Sequence, residues 1–413
     1  MKLLILTQYF PPEVGAPQNR LFELAVRLQQ KGVDITVLTA MPNYPQMEIH
    51  PSYKGKCYIK EEMNDLSIHR SWIFVSKSKG IFKRLINYFS FVFSSLIVGI
   101  FKIKKHDILL VESPPLFLGI SAYLLSRFKG AKLIFNVSDL WPESAEKLGL
   151  VKNKTFLKMA TYLEEFCYKK AALITGQTQG ICSNIRNRFP NKEVYWLKNG
   201  VDINFYNANN ESESNWRAEN GFSNQDFLLI YAGILGHAQG LEVIIHAAKT
   251  VSNHSDIKFI FLGNGPEKEN LQRLSASNSL TNIFFFNVVP KAEMQNVLMA
   301  TDASIIPLRK LDLFKGAIPS KIFETLALKK PIILGVDGEA NDLFIKKANS
   351  GLYFEPENAD DLSNKIIYLF NNRDKIIELG NNGHLFVSKE FNRDIIAEDF
   401  FNILTHQFKG KKA

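Results

Sequence analysis

Short apolar runs alternate along the chain with segments whose apolar positions recur every three to four residues. In the first half the runs Lys2–Gln8, Asp34–Ala40, Ile68–Val75, Asp107–Glu112, Lys132–Val137, Ala172–Gly176 and Glu193–Lys198 read as strands. Gln18–Gln30, Phe117–Arg127 and Lys154–Lys170 between them read as amphipathic helices. The pattern restarts with strands at Phe227–Ala232, Lys258–Leu262, Ile283–Val289, Ser304–Pro307 and Pro331–Gly335. Strand-length runs separated by helices predict parallel sheets covered on both faces. Between the two series, Asn207–Asn224 is poor in apolar residues and rich in Asn, Ser and Glu, and it is the predicted linker. The expected organisation is α/β, with two doubly wound domains, 1–206 and 207–391. A C-terminal helix within 392–413 is expected to cross back to the first domain. The strand carboxyl ends of both domains are expected to face a central cleft.

One segment breaks this rhythm. From Leu66 to His106 there is no acidic residue, whereas Arg70, Lys77, Lys79, Lys83, Arg84, Lys102, Lys104 and Lys105 fall within it. Inside it, Leu85–Phe101 carries no charge and is at the lower limit of length for a spanning helix. Spanning is disfavoured, because the stretch lies between two strands of one predicted sheet and would put them on opposite membrane faces. Asn87, Ser90 and Ser94 follow an i, i+3, i+7 spacing and mark one helical face. Two readings stand: a crossover helix packed on the sheet, or one whose exposed basic and aromatic face rests on anionic lipid.

Composition narrows the class. A chain of 413 residues, 46% hydrophobic and 22% charged, is globular and long enough for two domains, which excludes disorder and low complexity. Cys57, Cys167 and Cys182 are odd in number and widely spaced, which excludes a disulfide framework and a cysteine zinc site. The net charge of +9 calls for an anionic partner, and nucleic acid, lipid headgroups and phosphorylated substrates all fit. Leu3-Leu4-Ile5-Leu6 breaks off at Thr7-Gln8, shorter than the ~7–15 apolar residues of a signal-peptide core. It reads as a buried first strand, and a cytoplasmic location is expected.

Candidate chemistry collects where predicted strands end. The first strand leads through Gln8-Tyr9-Phe10-Pro11-Pro12-Glu13-Val14-Gly15-Ala16-Pro17 into a helix. Such a loop turns N–H groups towards a phosphate or sugar hydroxyl, and Gly15 removes a side chain where a ligand would approach. After Lys132–Val137, Asp139 and Glu143 lie just past a strand carboxyl end; a plain helical first turn, which favours acids, is the alternative. In the second half, Gly233, Gly236 and Gly240 form a glycine loop after a strand, and Gly263-Asn264-Gly265-Pro266 repeats the device. Both would present amides to phosphate. The most specific cluster runs from Arg309 to Glu324, where Pro319 and Ser320 open a helix, Lys321 follows, and Glu324 lies on the same face. A cation at a helix N-terminus opposes the dipole. A bound diphosphate would explain Lys321, and Glu324 can accept protons from a ribose. A surface i, i+3 ion pair is the plain alternative.

These residues resemble a known family, the retaining nucleotide-sugar glycosyltransferases of family 4, which have the GT-B fold of two Rossmann-like domains. The resemblance rests on the Pro11-Pro12-Glu13 to Gly15 loop, Asn199-Gly200-Val201-Asp202, Gly263-Asn264-Gly265-Pro266 and Phe323-Glu324-Thr325-Leu326-Ala327. Tyr9-Phe10-Pro11-Pro12-Glu13, Pro42-Asn43-Tyr44-Pro45, Ser113-Pro114-Pro115-Leu116 and Asp139-Leu140-Trp141-Pro142-Glu143 resemble the bacterial O-antigen and capsule branch. That branch includes N-acetyl-L-fucosamine transferases and a colanic-acid transferase. The chain also departs from the family. The second Glu of the usual Glu-x7-Glu motif matches Glu324, but the first falls on Gly316. The usual Arg and Lys fall on Ile234 and Gln239, and the usual His on Ser138.

The resemblance implies a UDP-sugar donor held by the second domain, with its ribose on Glu324 and its base near Val288-Val289. Lys321, Arg309 and the amides of Gly233–Gly240 would meet the diphosphate. It implies an undecaprenyl-diphosphate-linked glycan acceptor near Gly15 and Asp139, reached by a peripheral protein of the cytoplasmic face of the inner membrane through segment 77–105. No Asp-x-Asp motif follows a strand end, so no metal and no other cofactor are expected. A UDP-sugar epimerase would bind the same donor without needing a membrane-facing helix. A non-enzymatic basic membrane-binding protein would explain the charge and leave the glycine loops unexplained. No motif for nucleic acid is present.

Overall fold

The computed structural model describes residues 1–13, 15–44, 46–77, 81–207 and 215–408. Two compact units emerge, Met1–Asn199 with Arg393–Ala413, and Gly200–Asn392.

The first unit is built on β1 (Lys2–Leu6), β2 (Asp34–Ala40), β3 (Tyr58–Met63), β4 (Leu66–Ser71), β5 (Ile108–Ser113), β6 (Lys132–Val137), β7 (Leu173–Gly176) and β8 (Val194–Trp196). Their order is β3-β4-β2-β1-β5-β6-β7-β8, and β3 runs antiparallel to β4 in an otherwise parallel sheet. Alternation along β1 feeds two cores. Leu3 and Ile5 pack with Leu21, Leu24 and Leu28 of helix Ala16–Gln30, whereas Leu4 and Leu6 share a core with Phe91 and Val98 of helix Ile81–Lys102. Helix Arg393–Phe408 inserts Phe400 and Leu404 into the first of these cores, and Arg27 binds Asp394 at 2.6 Å. The chain reverses direction across the sheet between β1 and β5, so their carboxyl ends form the crevice where doubly wound sheets bind ligands.

The second unit holds β9 (Phe227–Ala232), β10 (Ile257–Leu262), β11 (Ile283–Phe286), β12 (Ala303–Pro307), β13 (Ile332–Gly335) and β14 (Gly351–Tyr353). The order is β11-β10-β9-β12-β13-β14, parallel throughout, with its switch point between β9 and β12. Phe227, Leu229 and Tyr231 of β9 enter one buried core with Phe259 and Phe261 of β10.

Several expectations change. β3 was not anticipated, because Lys60, Glu61 and Glu62 break any apolar run, and β14 is only three residues long. The first unit ends at Asn199, earlier than the expected 206. The Val201 N–H donates to the Phe391 carbonyl at 2.9 Å and Gln295 Nε2 to the Tyr206 carbonyl at 3.1 Å, which tie this stretch to the second unit. Within the predicted linker, 208–214 lie outside the described residues, but Trp216–Glu219 is helical and Trp216 packs on Phe222 and Phe286 at 5.7 and 5.2 Å. Of the cations grouped with a membrane segment, Lys79 also lies outside the described residues, and Lys77 pairs with Glu48 at 2.6 Å. Arg70 is fully buried; it holds Glu61 and the Pro11 carbonyl, each at 2.5 Å, and so braces the loop after β1.

Candidate functional site

In the second unit Gly233, Lys321, Gly240 and Arg309 lie at the switch-point crevice, Gly263 and Gly265 in the adjoining turn after β10, and Val288 beyond edge strand β11. Gly263 follows β10 at φ +152°, and a Cβ there would overlap the Gly233 carbonyl oxygen. Gly265, at φ +158°, is pressed likewise against the Leu235 carbonyl, so the loops after β9 and β10 approach at a distance only glycine permits. Gly236 is different. Its backbone is ordinary extended chain, and a side chain would meet the flexible Gln239 amide and, at van der Waals distance, Ile234.

Lys321 opens the helix Lys321–Ala327 and reaches under Gly233, where a Cβ would stand 3.1 Å from Nζ. Nζ donates to the Tyr231 hydroxyl at 3.0 Å and sits 4.2 Å from the centre of that ring. The hydroxyl in turn donates to the Ile234 carbonyl at 2.7 Å, which shapes the glycine loop. Burial pushes the ammonium down to about 8, against the opposing pull of Glu324. A half-buried cation facing a glycine loop is suited to an anion.

Arg309 follows β12 on the other side of the switch point. Its guanidinium donates to the His237 carbonyl at 2.6 Å and to Glu357 and Glu242 at 3.2 Å each. Its Cγ lies 3.2 Å from where a Gly240 Cβ would be. With these partners Arg309 braces the loop, whereas Lys321 points under it. Val288 is 65% exposed and follows Asn287, whose side chain accepts from Lys268 at 2.8 Å. Lys268 also lies 3.4 Å from the Gly263 carbonyl and adds an ammonium beside the second glycine turn.

In the first unit Gly15 caps helix Ala16–Gln30 with extended backbone, and its missing Cβ would meet the Gln18 amide. Gln18 is buried, and among the described residues its Oε1 has no hydrogen-bond partner. Glu13 is a clasp: its carboxylate accepts the N–H groups of Asn43 and Tyr44 at 2.7 and 2.8 Å and of Phe10 at 3.3 Å. Val14 and Pro45, part of the quoted motifs, lie outside the described residues. Asp139 accepts the Ser144 hydroxyl at 2.7 Å. Burial raises its pKa, chiefly against the Ser144 and Leu140 hydrogen bonds, while Glu143 adds to the rise. Glu143 itself pairs with Lys147 at 2.6 Å in an exposed i, i+4 bridge.

Sequence reading missed the charged pair at the centre of this crevice. Arg20, from the helix after β1, meets Glu112 at the end of β5 at 2.5 Å, with both side chains buried. Ser138 bonds both partners, Asn136 bonds Glu112, and Asn136 accepts from Thr175 at 2.6 Å. The available signal was Glu112 inside the apolar strand Ile108–Ser113. Tyr231 was missed as well. Among the described residues no three His, Cys, Asp or Glu side chains group as metal ligands.

Comparison with known proteins gives this arrangement its class. Residues 18–205 match the model for Glycosyltransferase Family 4, and residues 212–385 that for Glycosyl transferases group 1. WcaI of Escherichia coli (strain K12), named as a glycosyl transferase of colanic acid biosynthesis, is 24% identical over 79% of this chain and 81% of its own. Sucrose-phosphate synthase from Thermosynechococcus elongatus superposes with a TM-score of 0.76 at 13% identity, covering 100% of both chains. HepE of Anabaena, solved with UDP and glucose, superposes at 0.73 with 16% identity over 98% of this chain and 99% of its own. The chain is therefore a glycosyltransferase with the GT-B fold, a family 4 glycosyltransferase domain in its first half and a group 1 glycosyl transferase domain in its second.

Proposed function

We propose that the chain moves a sugar from a UDP-sugar to a lipid-linked glycan with retention of anomeric configuration, without a divalent metal. In this reading it works at the cytoplasmic face of the inner membrane, in O-antigen or capsular polysaccharide assembly. The observation that carries the reading is the half-buried Lys321 ammonium beneath Gly233, with Glu324 one turn further on. UDP as carrier is supported by HepE, which was solved with UDP-glucose. The polysaccharide setting is supported by the name of WcaI. An N-acetylated deoxyhexosamine such as N-acetyl-L-fucosamine is the sugar we propose, on the motifs around Asp139.

The chemistry follows from charge. Breaking the bond to the leaving diphosphate builds negative charge on its oxygens, and preorganised donors aimed there act in a site of low dielectric. Lys321 and the amides of the Gly233–Gly240 loop supply them, with Arg309 holding the loop and Glu324 taking ribose hydroxyls. The acceptor hydroxyl is taken by the first unit near Gly15 and Asp139, a carboxyl group whose pKa burial raises. We place no covalent nucleophile in the scheme; the departing phosphate assists deprotonation on the face it leaves.

Steady-state turnover of Lys321→Ala and Glu324→Ala variants tests the assignment. Loss of one oxyanion-type donor is expected to cost about 10²–10³ in kcat. Wild-type turnover in both variants removes these residues from the site.

A further inference from the structure

We propose that helices Ile81–Lys102 and Leu118–Lys129 of the first unit form a face that seats on an anionic bilayer surface. A helix covering a sheet ordinarily turns its apolar stripe inward and its polar stripe to water. Helix Ile81–Lys102 spends its polar residues inward. Asn87 donates to the Phe74 carbonyl at 2.6 Å, Ser90 accepts the Phe74 N–H at 2.8 Å, and Ser94 meets Ser71 at 3.0 Å. Ser95 meets Ser121 of the neighbouring helix at 3.1 Å. Outward it shows Ile86, Phe93, Ile97 and Phe101, 37%, 64%, 59% and 77% exposed. At about 100° and 1.5 Å per residue these fall within an arc of about 80° and a row about 22 Å long. Leu124 and Phe128, one turn apart, continue the apolar surface on the second helix.

Charge identifies the occupant. No acid occurs from Leu66 to His106 or from Ser113 to Ser138. Exposed Lys83, Lys102, Lys104, Lys105 and Arg127 lie at the ends of these helices and just beyond. Apolar side chains sunk to the acyl boundary with cations at the phosphates is the arrangement of an interfacial helix. A second copy of the chain, docked isologously, would set cations against cations. Leu85–Lys102 is long and apolar enough to cross a membrane by length and composition. Its side-chain bonds to Ser71 and Phe74, and the place of β4 and β5 in one sheet, hold it on the fold instead.

The face is continuous with the loops of the first unit's crevice. Phe89 packs on Phe117 at 4.9 Å and Phe117 on Trp141 at 5.6 Å, two residues beyond Asp139. Gln8 donates to Asn87 at 3.2 Å. Docking therefore sets the loops after β1 and β6 at headgroup level. That consequence rests on the lipid-linked acceptor of the proposed function; the docking itself does not.

Flotation of the full chain with vesicles tests it. Wild type is expected to float with phosphatidylcholine vesicles containing phosphatidylglycerol, to lose most binding in high salt, and to come off in alkaline carbonate. A Phe93→Ser/Phe101→Ser variant is expected to bind at least about tenfold more weakly, and a Lys102→Ser/Lys104→Ser/Lys105→Ser variant to lose the preference for anionic lipid. Protection by UDP-sugar, read by thermal shift on the same samples, checks that the variants are folded. Equal flotation of wild type and the Phe variant overturns the proposal, as do equal binding to pure phosphatidylcholine and retention in carbonate. A dimer that the Phe variant abolishes, with no vesicle binding, overturns it in favour of a second copy. Flotation of a wild type that binds no UDP-sugar leaves the face standing and removes the transferase donor assignment.

Discussion

Lys321 is a cation that folding disfavours. Its ammonium titrates at about 8 in the folded chain, against about 10.4 when unfolded. Between those values the unfolded chain holds the extra proton, so the stability of ligand-free protein rises with pH across that window. Lys321→Met is expected to remove that rise and to stabilise the ligand-free protein at pH 7 by about 1 kcal/mol. It is also expected to abolish the thermal shift given by UDP. Urea unfolding at pH 7 and pH 9.5 reads the first effect and the variant's thermal shift with UDP reads the second, while wild-type UDP affinity is expected to fall as pH rises through 8. Arg20 and Glu112 make the opposite case, a buried pair whose partners satisfy each other. Glu112→Leu alone is expected to cost about 3 kcal/mol or more, and the Arg20→Met/Glu112→Leu double variant distinctly less, because the single change strands a buried guanidinium. A double-mutant cycle in urea decides it. The sequence pointed to Lys321 because a cation opening a helix is out of place. It could not reveal Tyr231, since a tyrosine in a strand is ordinary and its bond to Lys321 joins residues 90 apart in the chain.

Elements were legible where the pattern of apolar residues matched a buried strand or a two-faced helix. Helix Lys154–Lys170 and strands β2, β6 and β9 coincide with the segments read from the sequence. β3 escaped because an edge strand with one solvated face need not be apolar, and its Lys60, Glu61 and Glu62 suit an edge better than a core. The Asn215–Asn224 stretch misled for the converse reason: its polar composition hides two anchors. Trp216 and Phe222 cover Phe284 and Phe286 of edge strand β11, while Arg217 bonds Asp302 at 2.8 Å and the Ala300 carbonyl at 2.6 Å. A linker would tolerate Trp216→Ala; a cap on β11 is expected to lose about 2 kcal/mol of stability, measurable by denaturant unfolding of the full chain. The polar stripe of helix Ile81–Lys102 was also visible in the sequence, but not its direction, which depends on the backbone groups at Phe74 that only the fold supplies.

At the scale of the molecule, the surplus of +9 resolves into particular places. Arg70 is structural, Lys77 is paired, the lysines around helix Ile81–Lys102 border an exposed apolar row, and Lys321 waits beneath a glycine loop. Both doubly wound sheets gather buried charge or close glycine contacts where the strand order reverses, Arg20–Glu112 at β1 and β5, and Gly240 with Arg309 at β9 and β12. The measurement that tests the central claim most directly follows the fate of the sugar. The full chain is incubated with UDP-N-acetyl-L-fucosamine or UDP-glucose and an undecaprenyl-diphosphate-linked glycan, and products are followed by mass spectrometry and proton NMR. The expected result is an acceptor heavier by one sugar, one UDP released per transfer, and the anomeric configuration of the donor retained. An unchanged acceptor, with the nucleotide sugars interconverted or untouched across the donor panel, would contradict it.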